Sequence, residues 1–224
     1  MEELEVKKPK GALLKMWVHP RKTIKEVISY NPNFRFWLLS FIYGFTTLSS
    51  LFQKVNIASI FSLGIIIVAL IILSTLCGYV FFSIFSYIVY LTGKWLKGTG
   101  TYKEVRAAQA YSNVTKFVNF IIVVLLIGYY QEKIFIDSTF GSLTTIEGYV
   151  LMGLIPLYVA LFIWGIVLYI AAIAEVQKMT IAKAFFNIFL SALIYFVLYF
   201  LVASLFIWKC SPYFDEPLVT LGLL

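Results

Sequence analysis

Charge is what this chain has least of. Only 13% of its 224 residues are Asp, Glu, Lys or Arg, against about 25% in a soluble domain that must cover itself with polar surface. A hydrophobic share of 61% and a mean hydropathy of +0.91 exclude an ordinary soluble fold. Histidine occurs once, at His19, with no companion at ligand spacing, so no zinc pattern can be assembled. The two cysteines sit at different depths, Cys77 near the middle of an apolar run and Cys210 at the end of the last one, and a disulfide between them is not expected. Met-Glu-Glu-Leu-Glu-Val-Lys-Lys at the start lacks an apolar core, which argues against a cleaved signal peptide. No charged residue falls near the middle of an apolar run, where it would cost at least about 2.5 kcal/mol and normally serves an ion or proton path. That weighs against a proton-coupled transporter. No nucleophile–base set, metal motif or nucleotide signature is visible either, so neither an enzyme nor a cofactor is expected.

What is present is a series of apolar runs. A helix needs roughly 20 apolar residues to cross a bilayer, and the sequence reads as an all-α bundle of five spans at about 35–52, 59–92, 114–130, 149–173 and 185–208. The organisation is a cytoplasmic amphipathic arm over 1–33, a membrane domain over 34–208 and a short extracytoplasmic tail over 209–224. The second run is ambiguous, because no charge occurs from Val55 to Gly93. It is either one helix about 50 Å long or a hairpin turning near Ser74-Thr75. Charge placement decides. With one helix, the eight basic residues up to Arg35, five in 94–116, and Lys178 with Lys183 share a side, leaving Lys54, Lys133 and Lys209 opposite. A hairpin would divide them ten to eight. The positive-inside rule selects the single helix, with the N-terminus cytoplasmic and the C-terminus outside. The net charge of +7 therefore marks loops, and nucleic acid is not an expected partner.

Several local patterns stand out. Thr23-Ile-Lys-Glu-Val returns as Thr101-Tyr-Lys-Glu-Val, and both carry the Thr-x-x-Glu spacing of a capping box. Thr180 opens the last span similarly without the Glu. In the arm, Leu13/Met16/Trp17 and Ile24/Val27/Ile28 form apolar stripes on either side of Pro20, beside Lys15, Arg21, Lys22 and Lys25. Such a segment is expected to lie on the bilayer surface. Gly98-Thr-Gly100 lacks the strand and full glycine pattern of a phosphate cradle and reads as a flexible turn. Glu175, at a helix C-terminus where an acid is disfavoured, is expected to pair with Arg106 or Lys103. Ser40/Gly44 and Ser74/Gly78 are small residues four apart, suited to close helix approach, with Ile66 taken as exposed. Asn119 and Asn187 lie within spans and should bond across helices. Pro156 with Gly153 is expected to kink the fourth span.

In order, Trp17-Val-His-Pro20, the stretch Gly93 to Tyr102, Ala107-Ala-Gln-Ala-Tyr111-Ser112, and Trp164 through Ala174-Glu175-Val-Gln-Lys178 resemble the bacterial branch of the Yip domain family over roughly residues 17–208. Two departures accompany the likeness. Val114-Thr115 stands where the family's third span commonly has a proline, and the Asp-Leu-Tyr-Gly-Pro phrase of eukaryotic members is absent, so Rab binding is not implied. The resemblance implies a multi-pass, non-enzymatic protein of the bacterial cytoplasmic membrane. It would contact the lipid bilayer and bind other integral membrane proteins, with an ABC exporter as the leading partner and efflux or assembly as the process modulated. The competing expectation is a homo-oligomeric permease or channel for an uncharged or apolar solute.

Overall fold

A computed structural model describes residues 8–136 and 145–214, with side chains described at 8–136, 148–149 and 152–204. Among these residues every regular element is helical. The helices are α1 Ala12–Val18, α2 Pro20–Tyr30, α3 Phe36–Lys54, α4 Leu63–Trp95, α5 Tyr102–Ser112, α6 Lys116–Tyr130, α7 Thr145–Val176 and α8 Ile181–Phe214. Short 3-10 turns lie at Ile57–Ser59, Asn113–Thr115 and Gln131–Phe135. The ambiguous run forms a single 33-residue helix, α4, continuous through Ser74 and Thr75. The first seven residues, and the tail beyond Phe214, lie outside the described residues. The side chain of Cys210 lies there too, while positions 209–214 continue α8.

Four helical stretches are long and apolar enough to cross a membrane: Leu63–Trp95, Tyr102–Phe135, Met152–Val176 and Ile181–Ser204. The second of these joins α5 and α6 through the 3-10 turn at 113–115, the place of the missing proline. The helix expected as the first span, α3, forms over 19 residues but is diluted by Ser, Thr, Tyr and Gln, and is not among the four. The molecule is a multi-pass membrane protein.

Helices α3 and α4 form the most extensive pair in the bundle. Their seam is made of the small residues seen in the sequence, and the contact is reciprocal. A Cβ on Gly44 would strike the Ser74 carbonyl, and one on Gly78 would strike the Ser40 carbonyl. The two backbones therefore touch where only glycine leaves room. Ile66, expected to be exposed, is 1% exposed in a cluster with Phe45, Leu70, Ile127 and Phe135. The 3-10 turns after α3 and α6 meet at that end and fold over one flank of α4.

The other core cluster lies at the opposite, basic end. There the apolar stripes of the arm turn inward: Met16, Ile24 and Val27 are fully buried against Val105, Ala107, Ala108 and the Ala172–Ala174 segment of α7. Alanines on α5 and α7 allow the arm to sit close. The expectation of a surface-lying arm is corrected accordingly. These stripes cover protein, and only side chains such as Leu14 and Val18 remain outward. Pro20 takes the first helical position of α2, where its missing N–H costs nothing. That early start places Thr23 inside the helix and buries it, so Thr23 is not a cap.

Candidate functional site

The basic end is assembled around the termination of α7. Gln177 is the cap residue and Lys178 follows with φ 51°, a left-handed conformation usually left to glycine. Met179 N–H donates to Ala174 O at 3.0 Å and Lys178 N–H to Glu175 O at 3.3 Å, the paired bonds of a Schellman motif. This closure sends the Gln177 side chain inward, where the residue is 2% exposed. Its Nε2 donates to Val89 O of α4 at 3.2 Å, and its backbone carbonyl accepts from Thr99 N–H at 3.2 Å. The carboxamide rests directly on Gly93 and Gly98, where any Cβ would collide with it. Gly100 passes under Val176, with the Val176 carbonyl 2.8 Å from where a Cβ would stand. The flexible-turn reading of Gly98 and Gly100 is thus corrected: both are buried, and both are glycine because another chain segment occupies their side-chain space.

The Val89 carbonyl also accepts from Asn187 Nδ2 of α8 at 3.3 Å. Thr92 Oγ1 lies 2.6 Å from both Asn187 Oδ1 and Ser191 Oγ. One turn of α4 is therefore bonded to the end of α7 and to α8 at once. The inter-helix bonding expected for Asn187 is present. Further along α4, Ser86 hydrogen-bonds the buried Gln109 of α5. Gln177, Thr92, Ser191 and Gln109 were not singled out from the sequence. Their common signal was a polar residue in or beside an apolar run.

α5 begins with the expected capping box. Thr101 N–H donates to Glu104 Oε2 at 2.7 Å, and Glu104 N–H to Thr101 Oγ1 at 3.4 Å. Tyr102 donates to Ser83 O at 3.2 Å, and Tyr111, 1% exposed, donates to Phe34 O at 2.9 Å. Arg106 does not approach Glu175. Its Nη2 donates to Asn33 Oδ1 at 2.8 Å, and its guanidinium lies 4.5 Å from the Phe36 ring centroid, with Tyr102 and Tyr79 at 5.5 and 5.7 Å. Glu175 pairs instead with Arg21 of the arm, Nε to Oε2 at 3.1 Å, the only ion pair among the described residues. The expected cluster of Lys103, Arg106 and Glu175 is therefore not formed. Lys103 is exposed, while Trp17 packs half-buried against the core. Asn119 departs as well: its Oδ1 is buried with no hydrogen-bond partner among the described residues.

Between α2, the 99–104 segment and the end of α7 lies a cleft of about 610 Å³ lined by Lys25, Ser29, Thr101, Glu104, Glu175 and Lys178, among others. Two acids and two bases face it, on walls fixed by the capping box and the Schellman turn. Among the described residues no His, Cys, Asp and Glu side chains gather as a metal site. Such a cleft can recognise a polar, mixed-charge segment. The chain matches the Yip1 domain family over residues 14–204. No curated protein and no solved structure matches the chain.

Proposed function

This chain belongs to the Yip1 domain family, and from that membership and the basic-end geometry we propose that it is a non-enzymatic accessory protein that binds other membrane proteins. The membrane is a bacterial cytoplasmic membrane, crossed five times with α3 as the first span, N-terminus inside and C-terminus outside. The partner class is an ABC-type exporter, whose assembly or activity the chain modulates. The observation carrying this reading is the mixed-charge cleft among Lys25, Glu104, Glu175 and Lys178. It is braced by three separate chain segments at the end where basic residues concentrate. A rigid, charged, chemically inert surface suits recognition better than turnover.

Copurification of the full chain in mild detergent tests the reading. A foreign membrane subunit should accompany the wild type in fixed ratio and be lost from the Lys25→Glu, Lys178→Glu double variant. A pure homo-oligomer that passes an uncharged solute in liposomes would establish the permease reading instead. Reporter fusions after Lys97 and after Pro212 should report opposite sides; agreement between them would end the five-span assignment.

A further inference from the structure

We propose that a cavity between α6 and α7 holds the headgroup of one anionic, hydroxyl-bearing phospholipid, with Lys116 as the cation for its phosphate. The cavity, about 250 Å³, arises because α6 leans on α3 while α7 leans on α5 and on the turn at 113–115, so the two helices part beyond that turn. Its lining includes Tyr43, Lys116, Asn119 and Tyr169, and no carboxylate.

Two of these side chains carry a buried polar atom without a partner, and a third is a half-buried cation without an anion. Lys116 makes no ion pair or hydrogen bond among the described residues, and its ammonium has only the Tyr43 ring, 5.8 Å from the centroid. Asn119 Oδ1 and Tyr169 Oη are both buried without a hydrogen-bond partner. Buried polar groups are ordinarily satisfied, and two exceptions lining one cavity beside an unpaired, half-buried cation call for an occupant. The complement of an ammonium and a phenolic O–H is a phosphate oxygen; the complement of an amide oxygen is a hydroxyl. A phosphatidylglycerol headgroup carries both.

Position selects lipid as the source. Phe162 and Ile166 line the cavity and are 69% and 40% exposed on the flank of α7, so the mouth faces the side of the bundle. Tyr43 and Tyr169 each lie seven residues from the basic end of their helices, about 10 Å along the axis. A cation at that depth is costly without an anion beside it.

The test uses the full chain in nanodiscs of phosphatidylcholine, with or without phosphatidylglycerol, reading retained lipid by native mass spectrometry and Tm by unfolding. The wild type should retain one phosphatidylglycerol and gain Tm from it. Lys116→Gln should weaken retention by about tenfold or more, the loss of one charge-assisted bond, and Tyr169→Phe by a few-fold, while Lys94→Gln matches wild type. In phosphatidylcholine alone, Tyr169→Phe should keep or raise Tm, because it removes an unsatisfied hydroxyl. Should Lys116→Gln fail to fold, Tyr169→Phe decides. Equal retention of both lipids, or wild-type retention by either cavity variant, overturns the proposal. A Tm gain from millimolar inorganic phosphate in phosphatidylcholine discs would assign the site to a soluble anion and overturn it as well.

Discussion

Helix α4 is held on its two flanks by different physics. Toward α3 the contact is bare backbone on backbone, seated on Gly44 and Gly78 against Ser74 and Ser40. Toward α7 and α8 it is a set of polar side chains, Gln177, Asn187, Thr92 and Ser191, converging on the Val89 turn. In lipid, apolar burial gives helices little reason to associate, so close packing and inter-helix hydrogen bonds are the means that remain. The α3 flank uses the first and the α8 flank the second. The difference shows in coverage. Only 11% of the apolar stretch of Ile181–Ser204 is buried, against 33% for Tyr102–Phe135. Between Ile181 and Ser204, α8 is therefore held by the bonds at Asn187 and Ser191 and by Tyr195 against Phe81 and Phe85, while most of that stretch faces outward.

The sharpest way to break the contrast is to fill the glycine seam. Gly78→Leu would drive a side chain into the Ser40 carbonyl and Cα, and backbone cannot yield as a flexible side chain can. The expected cost is about 3 kcal/mol or more, the upper end for overpacking, seen as a large fall in Tm in detergent or loss of monodisperse protein. Val68→Leu, on the 55% exposed face of the same helix, should be neutral. Similar losses from both would remove the seam from the account.

The polar flank should respond less and in a coupled way. Asn187→Leu removes the bonds to Thr92 and to the Val89 carbonyl, and one inter-helix hydrogen bond in a membrane protein is worth about 0.6–2 kcal/mol. Adding Thr92→Val should cost less than the sum of the two single changes, because both sit in one network. Strict additivity in unfolding measurements would mean the bonds form independently. Gln177→Leu should cost about 1–3 kcal/mol, since it removes a donor and presses a bulkier branch on Gly93 and Gly98. Gln177→Glu, of nearly equal shape, separates hydrogen bonding from packing.

The two flanks were also unequally legible in the sequence. Ser40/Gly44 and Ser74/Gly78 announce themselves by spacing, and small residues four apart have few other uses in an apolar helix. The continuity of α4 followed from charge placement, an observation about loops and not about the helix. Thr101 and Glu104 were readable because a capping box is local; the matching phrase at Thr23 misled because Pro20 starts that helix earlier. What sequence could not supply was long-range position. Gln177 borders a span, where a polar residue usually meets headgroups, and nothing local says that Gly93 and Gly98 leave room for it 79 or more residues earlier. The arm carried apolar stripes that suit a bilayer surface and a protein surface equally, and only the alanines of α5 and α7 decide between them.

The smallest expected effect tests that last point, the docking of the arm. Arg21 and Glu175 are 154 residues apart and form a single bond at 3.1 Å, with side chains 52% and 26% exposed. A pair so open to solvent contributes about 0–1 kcal/mol, and salt should weaken it further. Glu175→Arg alone places two guanidiniums together at a helix C-terminus that favours cations, so repulsion and dipole partly cancel and Tm should move little. Arg21→Glu alone sets two acids together at that same terminus and should cost more. The double swap should recover most of the Arg21→Glu loss, and its recovery should shrink at high ionic strength. Arg106→Glu offers the contrast: it surrenders Asn33 and the faces of Phe36 and Tyr102, and no change at Glu175 should rescue it. Rescue of Arg106→Glu by Glu175→Arg would restore the cluster expected from sequence and place the arm elsewhere.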